Sequence, residues 1–278
     1  MHRGWVASSR ILCRFWLVGR TGVSGTALTF AQTRRNEIIV GLSDASIHCY
    51  NFGTSSIPSN CFKINDSVET NQLQAKLQGY HQSPVCHIAT HPDDPLVLTT
   101  SSTECILWDS NNWSRKRLLS GAKSIGVLQG AFSPAGEYLV VSFADGTTSV
   151  WQLNNFKLYW KLALPDFAVT SENKAPTQPM SMHGAVIALA SNHKHPAIYV
   201  WDLRDRTLLH EIAIPSMMED GGIAQIAFVG KRPLLSVLSF GGQLVFVDAI
   251  ESNYICHMPT PHMVSNMLFV MNTKSPLI

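Results

Sequence analysis

Between residues 25 and 250 the chain alternates short apolar runs with polar turns, and the runs lack the 3.6-residue spacing of an amphipathic helix. The pattern is clearest at 121–151, GAKSIGVLQGAFSPAGEYLVVSFADGTTSVW. Runs at 127–132, 138–142 and 147–151 are separated by Ser133-Pro134-Ala135-Gly136 and by Asp145-Gly146. Asp-Gly between alternating runs supplies the positive φ angles of a type I′ hairpin turn. Ser-Pro-x-Gly is turn chemistry of another kind. The stretch therefore predicts a three-stranded antiparallel meander.

The same order recurs along the chain. Runs at 26–31, 38–42 and 45–50 come first, with 73–77 as a closing fourth strand. Runs at 85–89, 96–100 and 105–108 follow, closed by 115–119, and 157–162 closes the central stretch. Runs at 185–190 and 197–201 form the next hairpin, closed by 207–212. Last come 223–229, 234–239 and 243–247, with 254–257 and 267–271 as candidates for two further strands. An aromatic stands at or next to the end of the third run of each group: Tyr50, Trp108, Trp151, Trp201 and Phe246, at intervals of 58, 43, 50 and 45 residues. The two widest intervals contain two long polar loops, 51–72 and 165–179. Without them the period is roughly 40–45 residues. The order strand, Ser-Pro-x-Gly, strand, Asp-Gly, strand, Trp resembles one repeat of the WD-repeat β-propeller family.

The expected fold is all-β: a WD40-type β-propeller with about five recognisable blades, incomplete at both ends. The blades fall near 25–77, 85–119, 127–162, 179–212 and 223–257, after a poorly defined lead-in at 1–24 and before a partial further blade or tail at 258–278. A propeller blade is a twisted four-stranded sheet that buries its faces only against neighbouring blades. A large ring near the end of the third strand fills the space between two blades, contributing about 2–3 kcal/mol of burial. In well-formed members of the family a His, a second-strand Ser or Thr, a turn Asp and the Trp are hydrogen-bonded in series. The resemblance assigns His81 and Thr100 to that series beside Trp108, where the Asp is lacking. It assigns Ser142 and Asp145 beside Trp151, where the His is lacking. All nine residues are expected to be structural anchors.

Composition narrows the function classes. Charged residues are 14% of the 278 and apolar residues 45%, which suits many short buried strands. A net charge of +2 gives no electrostatic footprint for nucleic acid or an acidic membrane. Six scattered cysteines without a Cys-x-x-Cys pair read as reduced thiols of a cytoplasmic protein. Residues 1–24 hold four arginines and no acidic residue, a composition that weakly resembles a mitochondrial transit peptide; Arg14 and Arg20 interrupt the apolar residues too early for a membrane span. No phosphate-binding glycine loop and no nucleophile-elbow motif occurs. His87 and His91 are four apart without the Glu of a zincin, and His193 and His195 sit in a polar loop, so no metal or cofactor is expected. Arg115-Lys116-Arg117 on an outer strand reads as charge that blocks edge pairing.

A second resemblance is more specific. Residues 25–50, 77–84 and above all 99–119, TTSSTECILWDSNNWSRKRLL, are similar to the amino-terminal propeller of a family of large centrosomal proteins carrying WD repeats followed by a TBC domain. It implies a non-catalytic protein–protein interaction scaffold of centriolar satellites and cilium assembly, with centrosomal or ciliary proteins as partners, no nucleic acid and no membrane insertion. The alternatives are a propeller fragment of a Rab GTPase regulator without its TBC domain, and a propeller enzyme. The loops 51–72 and 165–179 are the expected contact regions, because functional residues concentrate on loops held by rigid sheets.

Overall fold

The structure, a computed structural model, describes residues 3–8, 11–17, 23–31, 37–51, 62–64, 73–119, 126–164, 179–192 and 195–259. In chain order the strands are β1 (Arg3–Ser8), β2 (Ile11–Leu17), β3 (Gly25–Phe30), β4 (Glu37–Leu42), β5 (Ile47–Asn51), β6 (Phe62–Ile64) and β7 (Leu73–Leu77). There follow β8 (Val85–Thr90), β9 (Leu96–Ser101), β10 (Cys105–Asp109), β11 (Ser114–Leu119), β12 (Val127–Phe132), β13 (Tyr138–Phe143), β14 (Thr147–Gln152) and β15 (Lys157–Ala163). The rest are β16 (Met180–His183), β17 (Val186–Ser191), β18 (Ala197–Asp202), β19 (Thr207–Ala213), β20 (Ile223–Val229), β21 (Leu234–Ser239), β22 (Gln243–Asp248) and β23 (Asn253–Pro259), with a 3-10 turn at Pro215–Met217 before β20.

Five four-stranded antiparallel sheets result, ordered β3-β4-β5-β7, β8-β9-β10-β11, β12-β13-β14-β15, β16-β17-β18-β19 and β20-β21-β22-β23. They coincide with the five groups read from the sequence. Four strands were not legible there. β16 supplies the fourth sheet with a first strand that the apolar pattern does not mark. β1 and β2 pair as a hairpin inside the lead-in, and β6, inside the loop 51–72, joins β2 in parallel. The candidate strand at 267–271 lies outside the described residues.

Position in the sheet decides each strand's residues. β4, β9 and β13 are second strands, covered on both faces, and all six residues of each are buried; their sequences EIIVGL, LVLTTS and YLVVSF are accordingly near-continuous in apolar or small residues. β11 is an outer edge, and five of its six residues are exposed. In every sheet the third and fourth strands slip by one residue at the anchor, between Cys49 and Tyr50, Leu107 and Trp108, Val150 and Trp151, Val200 and Trp201, and Phe246 and Val247. This bulge corrects one expectation. The anchor place in the fifth sheet belongs to Val247, which is fully buried, and Phe246 lies on the opposite face.

The turn after the third strand is also repeated. Its second residue donates its N–H back across the sheet: Ser110 to Pro95, Leu153 to Glu137, Leu203 to Ala185 and Ala249 to Pro233. Three residues later the backbone enters the left-handed region at Trp113, Phe156, Arg206 and Ser252, with φ of 53°, 51°, 58° and 56°.

The chain forms two compact units, 1–132 and 133–278. In the first, Ile39, Ile47, Cys49 and Leu77 of one sheet pack on Val85, Ile88, Val97, Ile106 and Trp108 of the next. The approach is close: a Cβ at Gly41 would stand 2.7 Å from Val85 Cγ1. In the second unit, Ala188, Ala190, Ile198, Val200 and Ile212 pack on Ile223, Ile226, Leu235, Val237, Val245 and Val247. An amide clasp reinforces this contact. Asn192 Nδ2 donates to Ile223 C=O at 2.8 Å, and Ile223 N–H donates to Asn192 Oδ1 at 2.7 Å. Gly222, at φ +99°, makes room for it, since a Cβ there would lie 2.6 Å from Asn192 Oδ1.

Candidate functional site

The most developed polar constellation surrounds Trp108, which is 0% exposed. Its Nε1–H donates to Thr99 Oγ1 at 2.8 Å, and the same hydroxyl lies 2.8 Å from His81 Nε2. His81 Nδ1 lies 3.3 Å from Glu104 Oε2. Trp108 N–H donates to the Thr99 oxygen and Thr99 O–H to His81 Nε2, while His81 Nδ1 meets the carboxylate as a close ion-pair contact rather than a formed hydrogen bond. Burial holds His81 below the ordinary histidine pKa, and Glu104 opposes that shift. Tyr80 closes the outside, its ring 4.9 Å from the Trp108 ring at 88°.

Two expectations change here. The hydroxyl in the series is Thr99, not Thr100. Thr99 lies opposite Ile106, two residues before Trp108, whereas Thr100 lies opposite Cys105 and projects from the other face. Thr100 meets Cys86 Sγ instead, at 3.5 Å. The carboxylate is present after all, as Glu104. Its extra methylene lets it reach His81 from a turn in which no Asp occurs.

Ser142 is displaced in the same way. It is buried opposite Thr148, so the place that Thr99 holds is taken by Val141, opposite Ser149. In the other sheets that place is Val40, Leu189 and Val237. Asp145 builds its own turn, accepting from Thr147 N–H at 2.9 Å and Thr147 O–H at 2.6 Å. Asp44 does the same with Ser46; partial burial opposes ionisation, but the two Ser46 hydrogen bonds keep its carboxyl below the usual range. Tyr50 is buried with its hydroxyl 2.9 Å from His48 Nδ1. Trp151 is half-buried opposite Leu139 and Leu158. Trp201 stacks edge-on against Trp160 at 5.6 Å, and its Nε1 is buried without a hydrogen-bond partner.

Of the histidines considered for metal, His193 lies outside the described residues. His91 Nδ1 accepts the N–H of Asp93 at 3.1 Å and of Asp94 at 2.7 Å, capping its turn. His87 is driven down to about 4 by burial. Among the described residues no three His, Cys, Asp or Glu side chains come together as a metal site, and no helix is long and apolar enough to cross a membrane. Lys116 Nζ lies 3.2 Å from Asp109 Oδ2 on the edge strand β11. Of the two expected contact loops, 52–61, 65–72 and 165–178 lie outside the described residues.

The surface that sequence reasoning missed is on the outer strands of the second unit. Leu158 lies opposite Trp151, Leu208 opposite Trp201 and Tyr254 opposite Val247, and these three are 48%, 39% and 53% exposed. Three large apolar side chains thus share one register position on successive outer strands. Beside them Arg206 Cζ stands 4.0 Å over the Tyr159 ring. The signal was present in the sequence as the large apolar residue seven positions after Trp151, Trp201 and Val247, where the same position after Trp108 is Arg115.

Repeated four-stranded meanders, one aromatic anchor bonded to a Thr–His pair beside a carboxylate, and degenerate versions of the same arrangement are consistent with the blades of a WD40-type β-propeller. The family "WD domain, G-beta repeat" matches residues 71–109 and 113–152. The chain is homologous to TBC1 domain family member 31: 28% identical to the Oryzias latipes protein over 88% of this chain, and 29% identical to the Mus musculus and Homo sapiens proteins over 84%. It spans about a fifth of the length of these relatives, 21%, 22% and 20% respectively.

Proposed function

We propose that this chain is a non-catalytic protein-binding platform working at centriolar satellites in cilium assembly, with centrosomal or ciliary proteins as partners. WD40 repeats are protein-interaction modules, and homology to TBC1 domain family member 31 runs through most of the chain. The observation that carries the reading is the exposed row Leu158, Leu208 and Tyr254 with the Arg206–Tyr159 stack beside it. Aromatic, arginine and apolar side chains held rigidly on strand edges are the chemistry of an interface anchor.

The test is proximity labelling in ciliated cells with the chain and with the double variant Leu158→Asp, Leu208→Asp. The expected result is satellite neighbours for the native chain and their loss in the variant at equal expression. An unchanged neighbour set would reject the row as the contact, and an absence of centrosomal neighbours from the native chain would reject the setting. Deleting 51–72 or 165–179 tests the loops in the same assay.

A further inference from the structure

The turn between β18 and β19 differs in charge from its counterparts. After the third strands of the second, third and fifth blades the chain reads Ser110-Asn111-Asn112, Leu153-Asn154-Asn155 and Ala249-Ile250-Glu251. In the fourth blade it reads Leu203-Arg204-Asp205, with Arg206 at the left-handed position. Asp202 Oδ1 accepts the N–H of Arg204 at 2.7 Å and of Asp205 at 3.2 Å, which ties the turn down. Arg204 and Arg206 are both exposed.

The third blade supplies the surface beneath them. Tyr159 O–H donates to Arg204 C=O at 3.3 Å, and Arg206 Cζ lies 4.0 Å from the centre of the same ring. Tyr138 is buried behind Tyr159, with the two ring centres 5.5 Å apart. Burial and the neighbouring Tyr159 hold the Tyr138 hydroxyl above the usual tyrosine range, and the Arg204 charge pulls against that shift. Glu137 and Asp202 are near enough to act on Tyr138, yet among the described residues neither of them, nor Asp205, forms an ion pair with Arg204 or Arg206.

The contact over a ring engages the charge of a guanidinium and consumes none of its N–H donors. Those donors form a planar fork that takes a carboxylate through two parallel hydrogen bonds. The apolar row adjoins this fork in the sequence: Leu158 precedes Tyr159, and Leu208 follows Arg206 by two residues.

We propose that the partner segment seated on the row is both acidic and apolar. An Asp or Glu side chain of the partner is held by Arg206 and Arg204, and the large apolar residues flanking it rest on Leu158 and Leu208. This rests on the row being the contact surface, as the proposed function has it.

Calorimetric titration of the full chain with a short synthetic peptide containing Leu-Glu-Leu tests the carboxylate. The same peptide with Gln in place of Glu is expected to bind about ten-fold or more weakly, a comparison that leaves the chain unmodified. Arg206→Ala should abolish that preference, and Arg206→Lys, which keeps the charge and loses the fork, should restore only part of it. Equal affinity for the two peptides, no binding of either, or a preference that survives the Arg204→Ala, Arg206→Ala variant would overturn the proposal. A phosphoserine peptide that binds more tightly than the Glu peptide would overturn the carboxylate in favour of phosphate. Leu158→Ser with Leu208→Ser should weaken the Glu and Gln peptides alike. If it weakens neither while the Arg206 dependence holds, the seat on the row falls and the carboxylate fork stands; if it weakens both and Glu and Gln bind equally, the row stands and the fork falls.

Discussion

The second and fourth blades share one backbone plan and solve the same packing problem differently. Each has a tryptophan just after the bulge in its third strand, opposite an apolar second-strand residue, Val97 or Ile187. In the second blade the indole is fully enclosed and bonded to Thr99, His81 follows, and Glu104 ends the series. In the fourth blade the place of Thr99 is Leu189, the indole nitrogen has no partner, and a second indole, Trp160, fills the space. One blade is fixed by direction-specific bonds and the other by surface contact and the Asn192 clasp. A WD40 blade thus tolerates loss of its polar series where the neighbouring blade can supply bulk.

That contrast can be broken most forcefully at Trp108. Trp108→Ala should destabilise the chain by about 3–5 kcal/mol, and the measurement is denaturant unfolding followed by circular dichroism. Thr99→Val should cost about 2–4 kcal/mol, because it leaves the Trp108 N–H and His81 Nε2 buried and unsatisfied. Thr100→Val in the same experiment should cost less than about 1 kcal/mol, and the opposite order would restore Thr100 to the series.

Acid sharpens the comparison next, since the second blade carries both lowered histidines. His81 and His87 sit below the unfolded histidine value of about 6.5, so the unfolded chain takes up their protons first. The contribution of His87 is complete above about pH 6.5 and is lost as pH falls toward about 4, by up to about 1.4 kcal/mol per pH unit; His81 adds a loss of the same sign as pH falls below about 6.5. His87→Gln should lower the proton uptake on unfolding at pH 5 by close to one, read from the slope of stability against pH. The smallest effect is expected in the fourth blade. Trp201→Phe removes an unpaired donor along with some buried area and should change stability by no more than about 1 kcal/mol.

The strands were legible because turn chemistry and period-two runs mark them directly: Asp145-Gly146 and the run 147–151 could hardly be anything else. Which side chains meet across a sheet was not legible, because that depends on register. One residue of offset moves Thr99 to Thr100 and Val247 to Phe246, and both shifts reverse the face. The ring of Phe246 was persuasive by type, yet the bulge places a valine where the tryptophans stand. Glu104 was missed for a related reason: a turn one methylene short of its target needs Glu where Asp is usual. β16 was missed because Met180–His183 is short and mixed, and takes its strand character from pairing with β17.

The corner after the third strand has a practical use. In the second unit it recurs at Phe156, Arg206 and Ser252 with φ values of 51°, 58° and 56°. A fluorophore placed at each of these corners in turn would report from closely matched main-chain geometry. A signal that changed at one corner and not at its siblings would then locate an arriving ligand along the rim, with the other two serving as built-in references.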